Sequence, residues 1–127
     1  MEPAPKHVLI IDDYELTCKI ISMILSKMGF SVEAAYTGND GLEAAAQNHY
    51  SLILLDLNLP DIDGLEIAQK IKLHKKTLDA KIVAFTGRDV DQKNYLSYGI
   101  DGILTKPFTN QQIVELVSEL SDCPNYS

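Results

Sequence analysis

Short apolar runs alternate along the chain with longer segments whose apolar residues recur at helical spacing. The short runs predict buried strands over residues 7–12, 30–36, 51–56, 80–85 and 102–105. The longer segments predict helices over 14–28, 37–48, 65–73, about 89–98 and 109–121. Strict alternation of strands and helices predicts an α/β fold, (βα)5, with a parallel sheet between two layers of helices.

The first predicted helix, 14–28, carries signals at both ends. Asp13 precedes it as a candidate N-cap, and Gly29 follows its last apolar residue. Cys18 lies within the helix and is expected to be a small buried hydrophobe. The residues predicted to face the core are Leu16, Ile20, Met23, Ile24 and Met28.

Charged residues at the ends of three predicted strands carry the candidate chemistry. The first strand ends in Asp12 and Asp13, the third ends in Asp56, and the fifth leads into Lys106. Right-handed crossovers bring the carboxyl ends of parallel strands to one edge of a doubly wound sheet, where such folds bind ligands. We therefore expect three carboxylates and one ammonium group to meet at that edge.

Three acids at one edge fit a magnesium site. Mg²⁺ takes oxygen ligands in octahedral geometry and usually keeps waters beside one or two carboxylates. Asp13 and Asp56 are candidate direct ligands, and Asp12 would act directly or through a water. The backbone carbonyl of Asn58 could reach the same ion. Because like charges repel, these carboxylates are stable together only with a cation nearby.

Asp56 is also suited to nucleophilic chemistry. A carboxylate can accept a phosphoryl group and form an acyl phosphate that water later hydrolyses. Lys106, together with a metal, would offset charge on the phosphoryl oxygens during in-line transfer. Thr86 ends the fourth strand and offers a hydroxyl donor to one of these oxygens, and Gly87 leaves room beside it.

These residues resemble the receiver domain of two-component response regulators in order and spacing. The matching motifs are Asp12-Asp13, residues 56–64 (DLNLPDIDG), Thr86-Gly87 and Lys106-Pro107-Phe108, within a match from about His7 to Ser121. The resemblance implies a flavodoxin-like sheet with strand order 2-1-3-4-5. One departure is Ile103, at a position where many family members carry the Tyr or Phe of an aromatic switch.

The resemblance also implies a function, that of a phosphorylatable signalling switch that uses Mg²⁺. Asp56 would accept a phosphoryl group from a phosphohistidine on a histidine kinase or histidine phosphotransfer protein. Asp12, Asp13 and Asp56 would bind the metal, Lys106 would contact the phosphoryl group, and Thr86 would be the switch hydroxyl. Such a protein is not an enzyme for external substrates. It promotes its own phosphorylation and dephosphorylation, and it signals to an output protein or domain.

Composition narrows the partners and the compartment. With 11 basic and 18 acidic residues, the 127-residue chain has a net charge of −7, which disfavours direct contact with nucleic acid or anionic membrane. Two cysteines without metal-ligand spacing, and the lack of a signal peptide or long apolar stretch, predict a cytoplasmic protein. We expect a lead-in or linker over 1–6, the domain over 7–121 and a tail over 122–127.

Three questions stay open at the level of the sequence. A Mg²⁺-dependent phosphohydrolase also places an acid nucleophile on an α/β edge, although it would want a general acid and a substrate-covering cap. A receiver that serves only as a scaffold is disfavoured because every phosphorylation residue is present. The chain also fits either a stand-alone receiver or the receiver of a hybrid sensor kinase.

Overall fold

The computed structural model of the protein describes residues 7–73, 80–87 and 96–120. The strands are β1 (His7–Ile11), β2 (Ser31–Ala35), β3 (Leu52–Asp56), β4 (Lys81–Thr86) and β5 (Gly102–Thr105). The helices are α1 (Glu15–Lys27), α2 (Gly38–Gln47), α3 (Gly64–Leu73) and α4 (Asn110–Leu120), and Leu96–Tyr98 form a 3₁₀ turn. Within these ranges, no helix is long and apolar enough to cross a membrane.

The five strands form one parallel sheet in the order β2-β1-β3-β4-β5. This order confirms the predicted doubly wound, flavodoxin-like α/β fold. After β2 the chain crosses back over β1 and continues on its other side, so the topological switch point lies between β1 and β3. The carboxyl ends of β1 and β3 therefore flank the position where ligands bind in such sheets.

Burial on both faces explains why the central strands are continuous apolar runs. The apolar residues of β1 and every residue of β3 are buried. Side chains alternate between faces, so Leu9 and Ile11 belong to one core cluster while Val8 and Ile10 belong to the other. A slip of one residue would exchange these sets between two differently packed cores, which helps to fix the register.

The apolar face predicted for α1 is partly wrong. Leu16, Ile20 and Met23 are 55%, 43% and 63% exposed, whereas Cys18, Ile21 and Leu25 are buried against the sheet. Ile24 and Met28 do pack on this core as expected, and the buried Cys18 is confirmed. The helix carries two apolar stripes at helical spacing, and periodicity alone does not say which one faces the sheet.

The N-cap predicted at Asp13 is also wrong. Tyr14 occupies the N-cap position of α1 and makes no side-chain capping bond to a described residue. The Tyr14 N–H instead donates to the Asp12 carboxylate at 2.9 Å, in a local side-chain turn just before the helix. The predicted helix over 89–98 lies mostly outside the described residues, and its last part is the 3₁₀ turn Leu96–Tyr98.

Helix α2 approaches β1 so closely that Gly41→Ala should destabilise the protein. A Cβ at Gly41 would lie 2.6 Å from Ile11 Cδ1. Alanine normally stabilises a helix interior relative to glycine by about 1 kcal/mol. Here we expect a loss of about 1–3 kcal/mol in the free energy of unfolding, because the fully buried Ile11 has to move.

Urea unfolding measures the effect of Gly41→Ala. Gly87→Ala is the control, since a Cβ at Gly87 would meet no atom of the described residues within 4 Å. A Gly41→Ala protein more stable than wild type would contradict the packing described here.

Candidate functional site

The strand register brings the predicted site residues to one height at the carboxyl edge of the sheet. Asp12 directly follows the last residue of β1, and Asp56 is the last residue of β3. The residue just before Asp56 pairs with the last residue of β1. Thr86 ends β4 one position beyond the residue that pairs with Asp56. Lys106 directly follows β5. The structure therefore brings together the side chains that the sequence placed at strand ends.

Asp12, Asp13 and Asp56 form an acidic cluster at this edge. Each offers a carboxylate oxygen, and the three oxygens lie within 4.8 Å of one another. The side chains of Asp12 and Asp56 are buried, whereas that of Asp13 is exposed. The cluster consequently opens to solvent on the side of Asp13, and a cation could enter from there.

The Asp12 carboxylate is buried and incompletely hydrogen-bonded. Its Oδ1 accepts the Tyr14 N–H at 2.9 Å, while its Oδ2 finds no hydrogen-bond partner among the described residues. Burial raises the pKa of Asp12 from its ordinary 3.8 to about 6; Asp56 and Asp13 act in the same direction, and the Tyr14 N–H and Lys106 oppose it. An ionised Asp12 in this position is stabilised by an added positive charge.

The Asp56 carboxylate is oriented by its own loop. Its Oδ1 accepts the N–H of Asn58 at 2.9 Å. The next residue, Leu57, is buried and donates its N–H to the Phe85 carbonyl of β4 at 3.0 Å. These bonds fix the carboxylate at the strand end. They also hold the main chain of Asn58, whose carbonyl is the predicted metal ligand, next to Asp56.

Lys106 approaches both buried acids. Its Nζ lies 3.5 Å from Asp56 Oδ2 and 3.8 Å from Asp12 Oδ2. Its main-chain N–H donates to the Thr86 carbonyl at 2.7 Å, which joins the ends of β4 and β5. The peptide bond between Lys106 and Pro107 is cis. The Lys106 side chain therefore reaches the two buried acids from the end of β5, as its place in the sequence predicted.

Thr86 and Gly87 form the remaining wall of the site. Thr86 is fully buried at the end of β4, and a Cβ placed on Gly87 would have no described atom within 4 Å. Below them, the ring of Phe85 packs 5.1 Å from the ring of Phe108, in the segment that follows Lys106. This aromatic pair supports the loops that carry the threonine and the lysine.

Sequence reasoning missed two contacts around the acids. The buried Cys18 thiol donates to the Asp12 carbonyl at 3.5 Å, one turn into α1. Asp61, in the loop after β3, accepts the N–H groups of Gly38 and Asn39 at 2.9 Å each. No local pattern could reveal the second contact, because its partners lie 23 and 22 positions apart along the chain.

The donor set matches a hard divalent cation. All three clustered ligands are carboxylates, and one buried carboxylate oxygen has no hydrogen-bond partner among the described residues. Oxygen-only ligation is what Mg²⁺ and Ca²⁺ prefer, whereas zinc sites usually include histidine or cysteine. The acidic cluster is therefore consistent with the magnesium-binding phosphorylation site that the sequence predicted.

Comparison with known proteins shows the family. Residues 8–118 match the model of the response regulator receiver domain, and the chain belongs to this family of two-component signalling proteins. The transcriptional regulatory protein SrrA of Staphylococcus aureus is 33% identical over 114 residues, which cover 90% of this chain and 47% of SrrA. The chain thus spans about half the length of the curated relative.

Solved structures share the fold. A CheY-like response regulator receiver domain protein from Methanospirillum hungatei is 30% identical, with a TM-score of 0.85 over 94% of this chain and 95% of that one. A response regulator protein from Burkholderia pseudomallei with a phosphorylated aspartic acid, calcium ion and citrate is 25% identical, with a TM-score of 0.79 over 91% and 66% of the respective chains.

Asp12 should make the metal-free protein less stable as the pH rises. Its pKa is about 6 in the folded protein against 3.8 ordinarily, so the folded state holds this proton more tightly than the unfolded chain. Its contribution to stability is therefore complete below the unfolded pKa and is lost as the pH rises through the folded pKa. We expect the loss to be about 1–3 kcal/mol.

The effect of Asp12 can be isolated by comparing the wild type with Asp12→Asn. Urea unfolding in EDTA between about pH 4 and pH 8 gives both stability curves, and their difference removes the contribution of other groups. Asp40→Asn, at an exposed acid of α2, is the control. Parallel curves for wild type and Asp12→Asn would refute the prediction.

Proposed function

We propose that Asp56 is the phosphoacceptor of this receiver domain. The observation that carries the proposal is the position of its carboxylate, which is buried at the end of β3 beside both the acid pair and Lys106. The Asn58 N–H holds one of its oxygens. In the reaction a carboxylate oxygen of Asp56 bonds to phosphorus as the bond from phosphorus to the donor's imidazole nitrogen breaks. The imidazole keeps that electron pair.

We propose Mg²⁺ as the cofactor, held by Asp12, Asp13, Asp56 and the backbone carbonyl of Asn58. When bound, it would draw negative charge away from the phosphoryl oxygens. Asp13 supplies the exposed side of the cluster, and Asp12 supplies a buried oxygen that has no hydrogen-bond partner among the described residues, so the two residues make different contributions. The related protein from Burkholderia pseudomallei, which holds a calcium ion and a phosphorylated aspartic acid, supports this chemistry.

Lys106 and Thr86 act on the phosphoryl group after it arrives. The ammonium group of Lys106 is already within 3.5 Å of Asp56 and would pair with a phosphoryl oxygen as a point charge. The Thr86 hydroxyl would donate to a second oxygen. Hydrolysis of the acyl phosphate by water regenerates the Asp56 carboxylate and releases inorganic phosphate, so the protein limits the lifetime of its own signal.

A turnover enzyme of the phosphohydrolase type is not favoured. Family membership assigns the chain to signalling proteins. The residue two positions beyond Asp56, where such an enzyme could place a general acid, is Asn58, which cannot donate a proton in that role. The segment between β3 and α3 is short, and it offers no cap to cover a substrate.

We propose a phosphohistidine on a kinase or phosphotransfer protein as the donor, and α1 as part of its docking surface. The donor has to cover the carboxyl edge to reach Asp56. Helix α1 begins at this edge and exposes Leu16, Ile20 and Met23. A cleft of about 570 Å³ between α1 and α4 is lined by Ile20 and also by Lys106 of the site. The cleft thus extends from Ile20 on α1 to Lys106 of the site.

Membership of the receiver family also guides our proposals for the domain limits, the compartment and the output partner. We propose that the domain occupies residues 7–121 between a lead-in and a tail, works in the cytoplasm, and signals to an output protein or domain. The family match over 8–118 supports these limits. Ile103 is partly buried against one core cluster, and a β-branched side chain has few χ1 states. The conformational change would therefore start from Thr86 and not from a rotating aromatic ring.

Asp56→Asn should abolish phosphorylation. Wild type incubated with Mg²⁺ and acetyl phosphate should gain the mass of one phosphoryl group, labile to hydroxylamine, because an acyl phosphate forms on a carboxylate. Asp40→Asn, which removes an exposed acid from α2, should be phosphorylated like wild type. Full incorporation in Asp56→Asn would exclude Asp56 as the acceptor.

Ile20→Asp should separate donor docking from chemistry. A charge in an apolar interface weakens docking, so transfer from a phosphorylated histidine phosphotransfer domain should slow about tenfold or more. Phosphorylation by acetyl phosphate should not change. Leu73→Asp is the control, because Leu73 is 84% exposed at the end of α3 that is remote from the carboxyl edge. Equal slowing with both donors would argue against a docking role for Ile20.

A further inference from the structure

Asp61 connects the loop after β3 to the start of α2. The loop, residues 57–63, is exposed at Asp61, yet both oxygens of this carboxylate are engaged. Oδ1 accepts the N–H of Gly38, and Oδ2 accepts the N–H of Asn39, each at 2.9 Å. These bonds lower the pKa of Asp61, so the carboxylate is ionised at neutral pH.

The contact between the loop and α2 is tight and goes beyond capping a helix. A Cβ at Gly38 would lie 3.1 Å from Asp61 Oδ1 and 3.1 Å from Ile62 Cβ, so the absence of a side chain permits the approach. Helix α2 already has a local cap, since the Thr37 hydroxyl oxygen accepts the Asp40 N–H at 3.0 Å. The two bonds to Asp61 therefore hold the loop in place, and they also give hydrogen-bond partners to two N–H groups in the first turn of α2.

The remainder of the loop is anchored at its two ends and, between them, by the buried side chain of Leu59. At the start, Leu57 is buried, and at the finish a Cβ on Gly64 would come within 2.5 Å of Leu57 Cα. Asp63 accepts the Leu65 N–H at 3.0 Å, a bond from the end of the loop to the first turn of α3. Asp61 adds an anchor on a different element, α2. Without it, the middle of the loop loses its hydrogen bonds to that helix.

The loop matters for the site because it carries the main chain of Asn58. The N–H of Asn58 holds Asp56 Oδ1 at 2.9 Å, and its carbonyl is the metal ligand proposed above. Asn58 itself is exposed. Its main chain is held by the buried neighbours Leu57 and Leu59 and by the part of the loop that Asp61 ties to α2.

We infer that Asp61 is a positioning residue of the phosphoacceptor site, which fixes Asn58 for metal binding by tying the loop to α2. The inference rests on the proposed function. Supports of this kind around metal ligands typically change affinity by tenfold or more when removed. Asp61 does not contact Asn58 directly but acts through the loop between them. We therefore expect a smaller effect, in which Asp61→Ala weakens Mg²⁺ binding by about three- to tenfold.

The first experiment measures Mg²⁺ affinity by NMR titration of the full chain. Thr37→Ala is one control, because it removes the local cap of α2 and leaves the loop bonds intact. Asp63→Ala is the other, because it removes an equal charge from the same loop but only a local bond to the first turn of α3. Both should bind Mg²⁺ within about twofold of wild type. Asp61→Asn, which keeps one acceptor oxygen, should lie between wild type and Asp61→Ala.

The second experiment needs no metal. Hydrogen exchange of the Asn58 amide in EDTA should be faster in Asp61→Ala than in wild type, and unchanged in Thr37→Ala. Wild-type exchange and wild-type Mg²⁺ affinity in Asp61→Ala would overturn the inference, as would an equal loss of affinity in Thr37→Ala. A wild-type protein that binds no Mg²⁺ would refute the proposed function together with it. Weaker Mg²⁺ binding and faster Asn58 exchange in Asp61→Ala, with neither change in Thr37→Ala, would support the positioning role of Asp61 and the proposed function.

Discussion

Repulsion among the carboxylates of Asp12, Asp13 and Asp56 is the constraint on which the site depends. At a separation of 4.8 Å, two such charges repel by on the order of 3 kcal/mol if the effective dielectric constant is about 20. Lys106 supplies one positive charge against three negative ones. A divalent cation would bring the net charge of these groups to zero. The excess of negative charge that is unfavourable without a metal therefore makes the cluster well suited to bind one. Burial is the main cause of the raised pKa of Asp12, and repulsion from Asp56 and Asp13 adds to it.

The fold can sustain this local strain because its stability comes from elsewhere. β1 and β3 are apolar and buried up to the positions where the acids begin, and each face of the sheet has its own core cluster. Main-chain N–H groups then fix the acids individually, from Tyr14 to Asp12 and from Asn58 to Asp56. The carboxylates of Asp12 and Asp56 are thus oriented by backbone hydrogen bonds.

The sequence predicted what depends on strand ends and failed where a choice depends on distant packing. Asp12, Asp56 and Lys106 could be grouped from three strand ends, because parallel strands share one carboxyl edge. The face of α1 could not be assigned in this way, since the stripes through Leu16 and through Cys18 are both apolar and only the sheet decides between them. The bonds from Gly38 and Asn39 to Asp61 join distant parts of the chain, and no periodicity in the sequence encodes them.

The link between Lys106 and Thr86 suggests how a change at Asp56 would reach the surface without an aromatic switch. The Lys106 N–H bonds to the Thr86 carbonyl at 2.7 Å, so the two residues that would contact a phosphoryl group share one hydrogen bond between β4 and β5. A displacement of either residue would therefore move the ends of both β4 and β5. Ile103 lies on β5 two residues before the last strand position and packs against the core, so it would follow that shift as part of the strand. The strand ends, and not a single ring, would then carry the signal.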